Sequence, residues 1–272
     1  MFEEPYRWVE AVGNRRQYLD EQFQQGSPVV ALSYAHGILL LTVSRGTPKL
    51  YEIYDRIGLG GMGHPADLEK LRFNVLEMAH VEGFNRSPSD VTGSRMVKYG
   101  LAPVIKQAFE EVYKAPFIVK ILLAELGTKA ERDAFLTINY DGTFEESKGC
   151  AAIASTPAIQ TEVIGSLRKN PGLTAGPLTQ AAEAALRAWA IGALAQGADK
   201  EDAEDRKEGS SPSSASSPDA TAIECHLQET LADKTVECAV LERTAPGSSK
   251  YRSIKSDELK RLFPTFLKNP TQ

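Results

Sequence analysis

Cysteine is scarce in this chain, with Cys150, Cys225 and Cys238 the only three in 272 residues. An odd count with no metal-ligand spacing excludes a disulfide framework and fits free thiols, packed as small hydrophobes, in a reducing compartment. Histidine is nearly as sparse. His36, His64, His80 and His226 are scattered with no i,i+4 pair, so no zinc site is expected. No basic run of five or more residues occurs and the net charge is −5, which argues against a nucleic-acid partner. The longest apolar stretch, Gly37–Val43, falls far short of the roughly 20 residues that a membrane helix needs. The opening Met1-Phe2-Glu3-Glu4-Pro5 is acidic where a secretion signal is basic. These absences predict a cytoplasmic protein with no cofactor, and the length suits one large domain.

What is present is a pattern of hairpins and helix pairs. A helical leader is expected over Tyr6–Gln25, with Trp8, Val12, Leu19 and Phe23 apolar among charges and Gly26 as its stop. Strands follow at Val29–Ser33 and Ile38–Val43, joined by the Tyr34-Ala35-His36-Gly37 turn, then at Lys49–Ile53 and Ile57–Gly61. Helices are expected over Ala66–Glu82 and from Ser87 to Tyr113, the second kinked or broken at Pro103. Strands return at Phe117–Leu126, Phe135–Tyr140 and Phe144–Ala154, with an Asp141-Gly142 turn between the last two. Helices at Ala158–Lys169 and Leu178–Gln196 come next. Strands at Val236–Arg243 and Tyr251–Ile254 and a helix at Asp257–Phe266 close the chain. This order fits an α+β fold: two stacked antiparallel sheets with helices on both outer faces.

The residues divide into a leader at 1–25, a main body at 26–197, an insertion at 198–220 and a closing part at 221–272. The insertion is acidic, then rich in serine. It cannot bury enough apolar surface to offset its ordering entropy, and a disordered loop is expected there. Ala222–Asp233 reads equally as a strand or a helix.

Three features carry candidate chemistry. Ser27 opens the first strand directly after the leader, the place of a nucleophile that becomes catalytic when the preceding peptide is released. The acid such a site needs is missing: Thr42, Val43 and Ser44 stand on the second strand, and Pro28 removes a backbone donor beside Ser27. Gly58-Leu59-Gly60-Gly61-Met62-Gly63 matches G-x-G-x-x-G, but no second parallel strand follows at Rossmann spacing, so close helix–strand packing is the better account. Lys49, at the start of a strand, is either a solvated charge or a cation positioned for a partner's C-terminal carboxylate.

Five collinear stretches resemble a proteasome α subunit of the bacterial type: SPVVALSYAHGIL from Ser27, KLYEIYDRIG from Lys49, SDVTG from Ser89, YDGTF from Tyr140 and YRSIKSDELKRLF from Tyr251. The resemblance implies a four-layer αββα sandwich of the N-terminal-nucleophile hydrolase class. It also implies a non-catalytic subunit in a seven-membered ring, contacting neighbouring α subunits and stacked on catalytic β subunits. Lys49 matches the family's docking lysine for the C-terminus of an ATPase activator. The bulky Phe2, Pro5 and Tyr6 of the N-terminal tail are the expected gate. The competing reading is a β-like peptidase processed between Gly26 and Ser27. Two departures stand out: the tail is short, and the acidic insertion lies outside the family pattern.

Overall fold

The computed structural model describes residues 5–111, 113–205, 220–264 and 266. Helix α1 (Pro5–Phe23) leads into the hairpin of β1 (Val29–Tyr34) and β2 (Gly37–Ser44), then that of β3 (Leu50–Tyr54) and β4 (Ile57–Gly63). Next come α2 (Pro65–Asn85), α3 (Gly93–Arg95) and α4 (Ala102–Glu110). Strands β5 (Val119–Glu125), β6 (Ala134–Ile138), β7 (Phe144–Ser147) and β8 (Cys150–Ile153) follow. Helices α5 (Pro157–Arg168), α6 (Leu178–Asp205) and α7 (Ala220–Asp233) precede β9 (Thr235–Glu242), β10 (Tyr251–Ser253) and α8 (Ser256–Leu262).

The strands form two antiparallel five-stranded sheets, ordered β10-β9-β2-β1-β8 and β3-β4-β5-β6-β7. Alternation along each strand sorts the side chains into layers. Val30, Leu32, Leu39 and Leu41 pack against α5 and α6, whereas Val29, Ala31, Ile38 and Leu40 face the second sheet. In that sheet Leu59, Ile121 and Leu123 pack against α2 and α4, while Leu122, Ala124 and Phe135 turn inward. Strands covered on both faces favour apolar residues at nearly every position, which explains the largely apolar runs in β1, β2 and β5. The result is the αββα sandwich expected from the sequence.

Several boundaries differ from the sequence reading. The expected strand at Phe144–Ala154 is two strands in different sheets, β7 and β8. The chain crosses between them at Gly149, whose φ of +79° is open to glycine at no steric cost. The helix expected from Ser87 to Tyr113 is a 3-10 turn, α3, a π turn over Met96–Leu101 and α4, with Pro103 tolerated in the first turn of α4. Ala198–Asp205, expected to be disordered, continues α6, and Ala220–Asp233 is helical; the rest of the insertion lies outside the described residues.

The leader also differs. Leu19 and Phe23 are fully buried in the inter-sheet core of their own domain, not held for a neighbour. Among the described side chains of α1, the exposed large apolar ones are Trp8, Val9 and Tyr18. Phe23 stacks on Tyr140 with ring centroids 5.8 Å apart, and the Tyr140 hydroxyl donates to Asp20 at 3.1 Å.

Lys120 of β5, only 5% exposed, completes this cluster. Its ammonium lies 4.9 Å from the Phe23 ring centroid and donates to the carbonyls of Ala154 (2.9 Å) and Ser155 (2.7 Å). Burial lowers its pKa from 10.5 to about 8, against upward pulls from Asp20 and Asp141. A folded-state pKa below the unfolded one means that the charged form opposes folding. That cost is fully present below pH 8 and is relieved as pH rises toward 10.5. Its size is on the order of 3 kcal/mol. In urea titrations, the stability of wild type relative to Lys120→Met should therefore climb across this window; parallel pH profiles would show that the ammonium carries no such cost.

Candidate functional site

The end of β2, the start of β9, the approach to β3 and the end of β4 converge at one rim of the sandwich. The register sets this, because Ser44 pairs with Thr235 while Leu50 pairs with Gly60. The rim holds a cleft of about 360 Å³ lined by Ser27, Ser44, Lys49, Gly61, Leu68 and Lys234. Ser27 and Lys49, singled out independently in the sequence, thus share one cavity. Arg45 and Thr47 complete its outer edge.

Lys49 is half-buried, and its backbone is held from the other sheet. The Glu237 carboxylate on β9 accepts the N–H of Lys49 (3.0 Å to each oxygen) and of Leu50 (2.8 Å). The Lys49 carbonyl accepts the Gly61 N–H at 2.9 Å. Desolvation pushes the Lys49 pKa down; Glu237 opposes that shift and Lys234 adds to it. Burial raises the Glu237 pKa, and its bonds to the two amides work against this. Sequence reasoning missed Glu237 and Lys234, because both reach the cleft across nearly two hundred residues.

Among the described residues, no acid hydrogen-bonds to Ser27. Its hydroxyl accepts the Trp189 indole N–H at 2.9 Å and lies 3.4 Å from Thr42 Oγ1. Thr42 itself donates to the Pro28 carbonyl at 2.7 Å. The Ser27 hydroxyl thus accepts from an indole and lies beside a neutral threonine, with no hydrogen-bonded carboxylate or imidazole among the described residues. Upstream, the Gly26 N–H donates to the Phe23 carbonyl at 2.9 Å, so the leader runs into the strand without a break.

The glycine run is a packing device. A Cβ on Gly60 would lie 2.6 Å from Val29 of the facing sheet, and one on Gly61 would lie 2.2 Å from Leu68 of α2. His64 Nδ1 accepts the Ala66 N–H at 3.3 Å and caps α2. His80 bonds the Leu76 carbonyl through Nδ1 at 2.8 Å on its own helix. Cys150 and Cys238 are buried as expected, but Cys225 is exposed on α7. Of the gate residues, Phe2 lies outside the described residues, and Pro5 and Tyr6 are described only as the helical backbone that opens α1. No helix among the described residues is long and apolar enough to cross a membrane.

With the sandwich and its rim cleft established, comparison with known families becomes informative. A family model described as proteasome subunit matches residues 23–197, from the end of α1 well into α6. The chain belongs to the proteasome subunit family. A proteasome subunit alpha of Streptosporangium roseum is 33% identical over 175 residues, 64% of this chain and 65% of that protein. One from Actinosynnema mirum is 28% identical over 252 residues, covering 92% of this chain and 83% of its own length. One from Streptomyces coelicolor is 27% identical over 260 residues, covering 93% and 87%. These relatives put the chain among bacterial α-type proteasome subunits.

The Ser27–Trp189 bond has a measurable consequence in this family member. Ser27→Ala leaves a largely buried indole N–H without its acceptor, a loss of about 1–3 kcal/mol. Urea denaturation followed by tryptophan fluorescence should show that loss. Unchanged stability would mean that the serine oxygen is not the indole's partner.

Proposed function

We propose that this α-type subunit is non-catalytic and forms the seven-membered outer rings of a cytoplasmic proteasome. In this reading it gates substrate entry to a chamber of catalytic β subunits of the threonine-peptidase kind. It also docks the C-terminus of an ATPase activator at Lys49. The observation that carries the reading is the division of labour inside one cleft: Ser27 is occupied by Trp189, while Lys49 is held in place at the cavity wall.

Three further features support it. Leu19 and Phe23 belong to the domain's own core, so release of the leader, which a β-like peptidase requires, would remove core residues. Trp8, Val9 and Tyr18 are exposed apolar side chains of α1, which neighbours in a closed ring would cover on every copy at once. The N-terminal residues, with Phe2, Pro5 and Tyr6, are the bulky groups proposed to meet at the ring axis.

Docking is directly testable. A carboxylate on an ammonium makes a charge-assisted hydrogen bond worth about 1.5–3 kcal/mol. Lys49→Ala should weaken binding of an ATPase activator to the assembled α–β complex by roughly ten- to a hundredfold. Ring assembly seen by negative-stain imaging, and hydrolysis of small peptides, should be unchanged. Equal activator affinity for mutant and wild type would return Lys49 to the role of a surface charge.

A further inference from the structure

The Lys49 cleft contains a second lysine. β9 begins at Thr235, which pairs with Ser44 and donates its hydroxyl to the Ser44 carbonyl at 3.3 Å. This fixes the residue just before the strand, Lys234, in the cleft wall. Two positions into the same strand, Glu237 holds the backbone of Lys49 and Leu50. One strand therefore positions both lysines. From the other side, α7 is anchored by the buried Ile223 and Leu227, and the Lys234 N–H donates to the Thr230 carbonyl at 3.0 Å. Lys234 thus follows the C-terminal end of a helix, where the helix dipole favours a positive charge.

The charge balance of the cleft points to an anion. Lys49, Lys234 and Arg45 line it, three cations against the single nearby carboxylate of Glu237, whose oxygens accept two backbone amides. Lys234 acts on Lys49 as a like charge, a smaller effect than the opposing attraction of Glu237, so both lysines stand close enough to act on one ligand. Volume and lining narrow the choice. About 360 Å³ is the lower end of the range for pockets that hold organic ligands, and Pro48 and Leu68 add apolar wall beside the hydroxyls of Ser44 and Thr47.

We propose that Lys234 is a second carboxylate-binding cation, so that the cleft grips the free C-terminus of an extended peptide through both of its oxygens, one on Lys49 and one on Lys234. This rests on the reading of Lys49 as the docking residue and adds the helix α7 to the docking site. The lysine that completes the site is thereby carried by the element that directly follows the acidic insertion.

The test uses the full-length chain in its assembled form. A set of fluorescein-labelled octapeptides with free C-termini is screened by anisotropy, and the tightest binder becomes the probe, paired with its C-terminal amide. Lys234→Ala should weaken the free acid roughly tenfold, and Lys234→Arg should restore most of the affinity. The amide should bind wild type weakly and lose nothing more in Lys234→Ala, because the interaction it lacks is the one that the mutation removes. If Lys234→Ala binds the free acid as wild type does while Lys49→Ala does not, the second cation is overturned and the Lys49 reading stands. If neither mutation matters, both fall. Displacement of the probe by millimolar inorganic phosphate as effectively as by unlabelled peptide would overturn the peptide assignment in favour of a general anion site.

Discussion

The structure depends on the wedging of the last turns of α1 between the two sheets. Leu19 and Phe23 are as buried as any strand residue, and around them Tyr140, Asp20 and Lys120 form a hydrogen-bonded and aromatic collar. Lys120 extends that collar to Ala154 and Ser155, at the entry to α5. A leader built in this way is part of the fold. Ser27 then stays an internal residue, with a peptide nitrogen where a terminal nucleophile needs a free amine.

From that constraint the rim cleft acquires its character. In an N-terminal-nucleophile fold, the start of β1 is the place for catalysis; here Trp189 occupies the serine oxygen and Thr42 sits where an acid would be needed. The cleft itself persists, with cations on its walls and a carboxylate clamp, Glu237, that ties the β3 approach to β9. At the opposite end of the sandwich a different tie closes the structure. Asp133, fully buried ahead of β6, accepts from Arg243 beyond β9, from the Ser33 hydroxyl at 2.9 Å and from the Gly127 N–H at 2.9 Å. Removing one member of such a buried pair commonly costs about 3–5 kcal/mol, so this link limits how far the sheets can shift. The cleft is therefore bounded by a scaffold pinned at both ends.

Much of this was legible in the sequence. The apolar runs of β1 and β2 marked a buried hairpin, and the alternation of hairpins with helix pairs gave the layers. Ser27 without an acid and Lys49 at a strand start were both local readings, and both residues line the cleft. The failures were local signals overridden by tertiary context, or interactions with no local signal. The turn at Gly149 carries so little punctuation that β7 and β8 read as one strand. The acidic residues after Gly197 read as loop, because charge alone does not reveal that α6 continues through them. Lys120 did leave a trace, a lone charge inside an apolar strand, whereas Glu237 and Lys234 meet Lys49 only through the pairing of β2 with β9.

The most direct test of the account is the intact mass of the chain after co-assembly with a catalytic β partner. A leader wedged into the core predicts that the assembled subunit keeps residues 1–26, apart from any removal of the initiator Met1. A chain recovered with Ser27 as its first residue, together with peptide hydrolysis lost in Ser27→Ala, would contradict it.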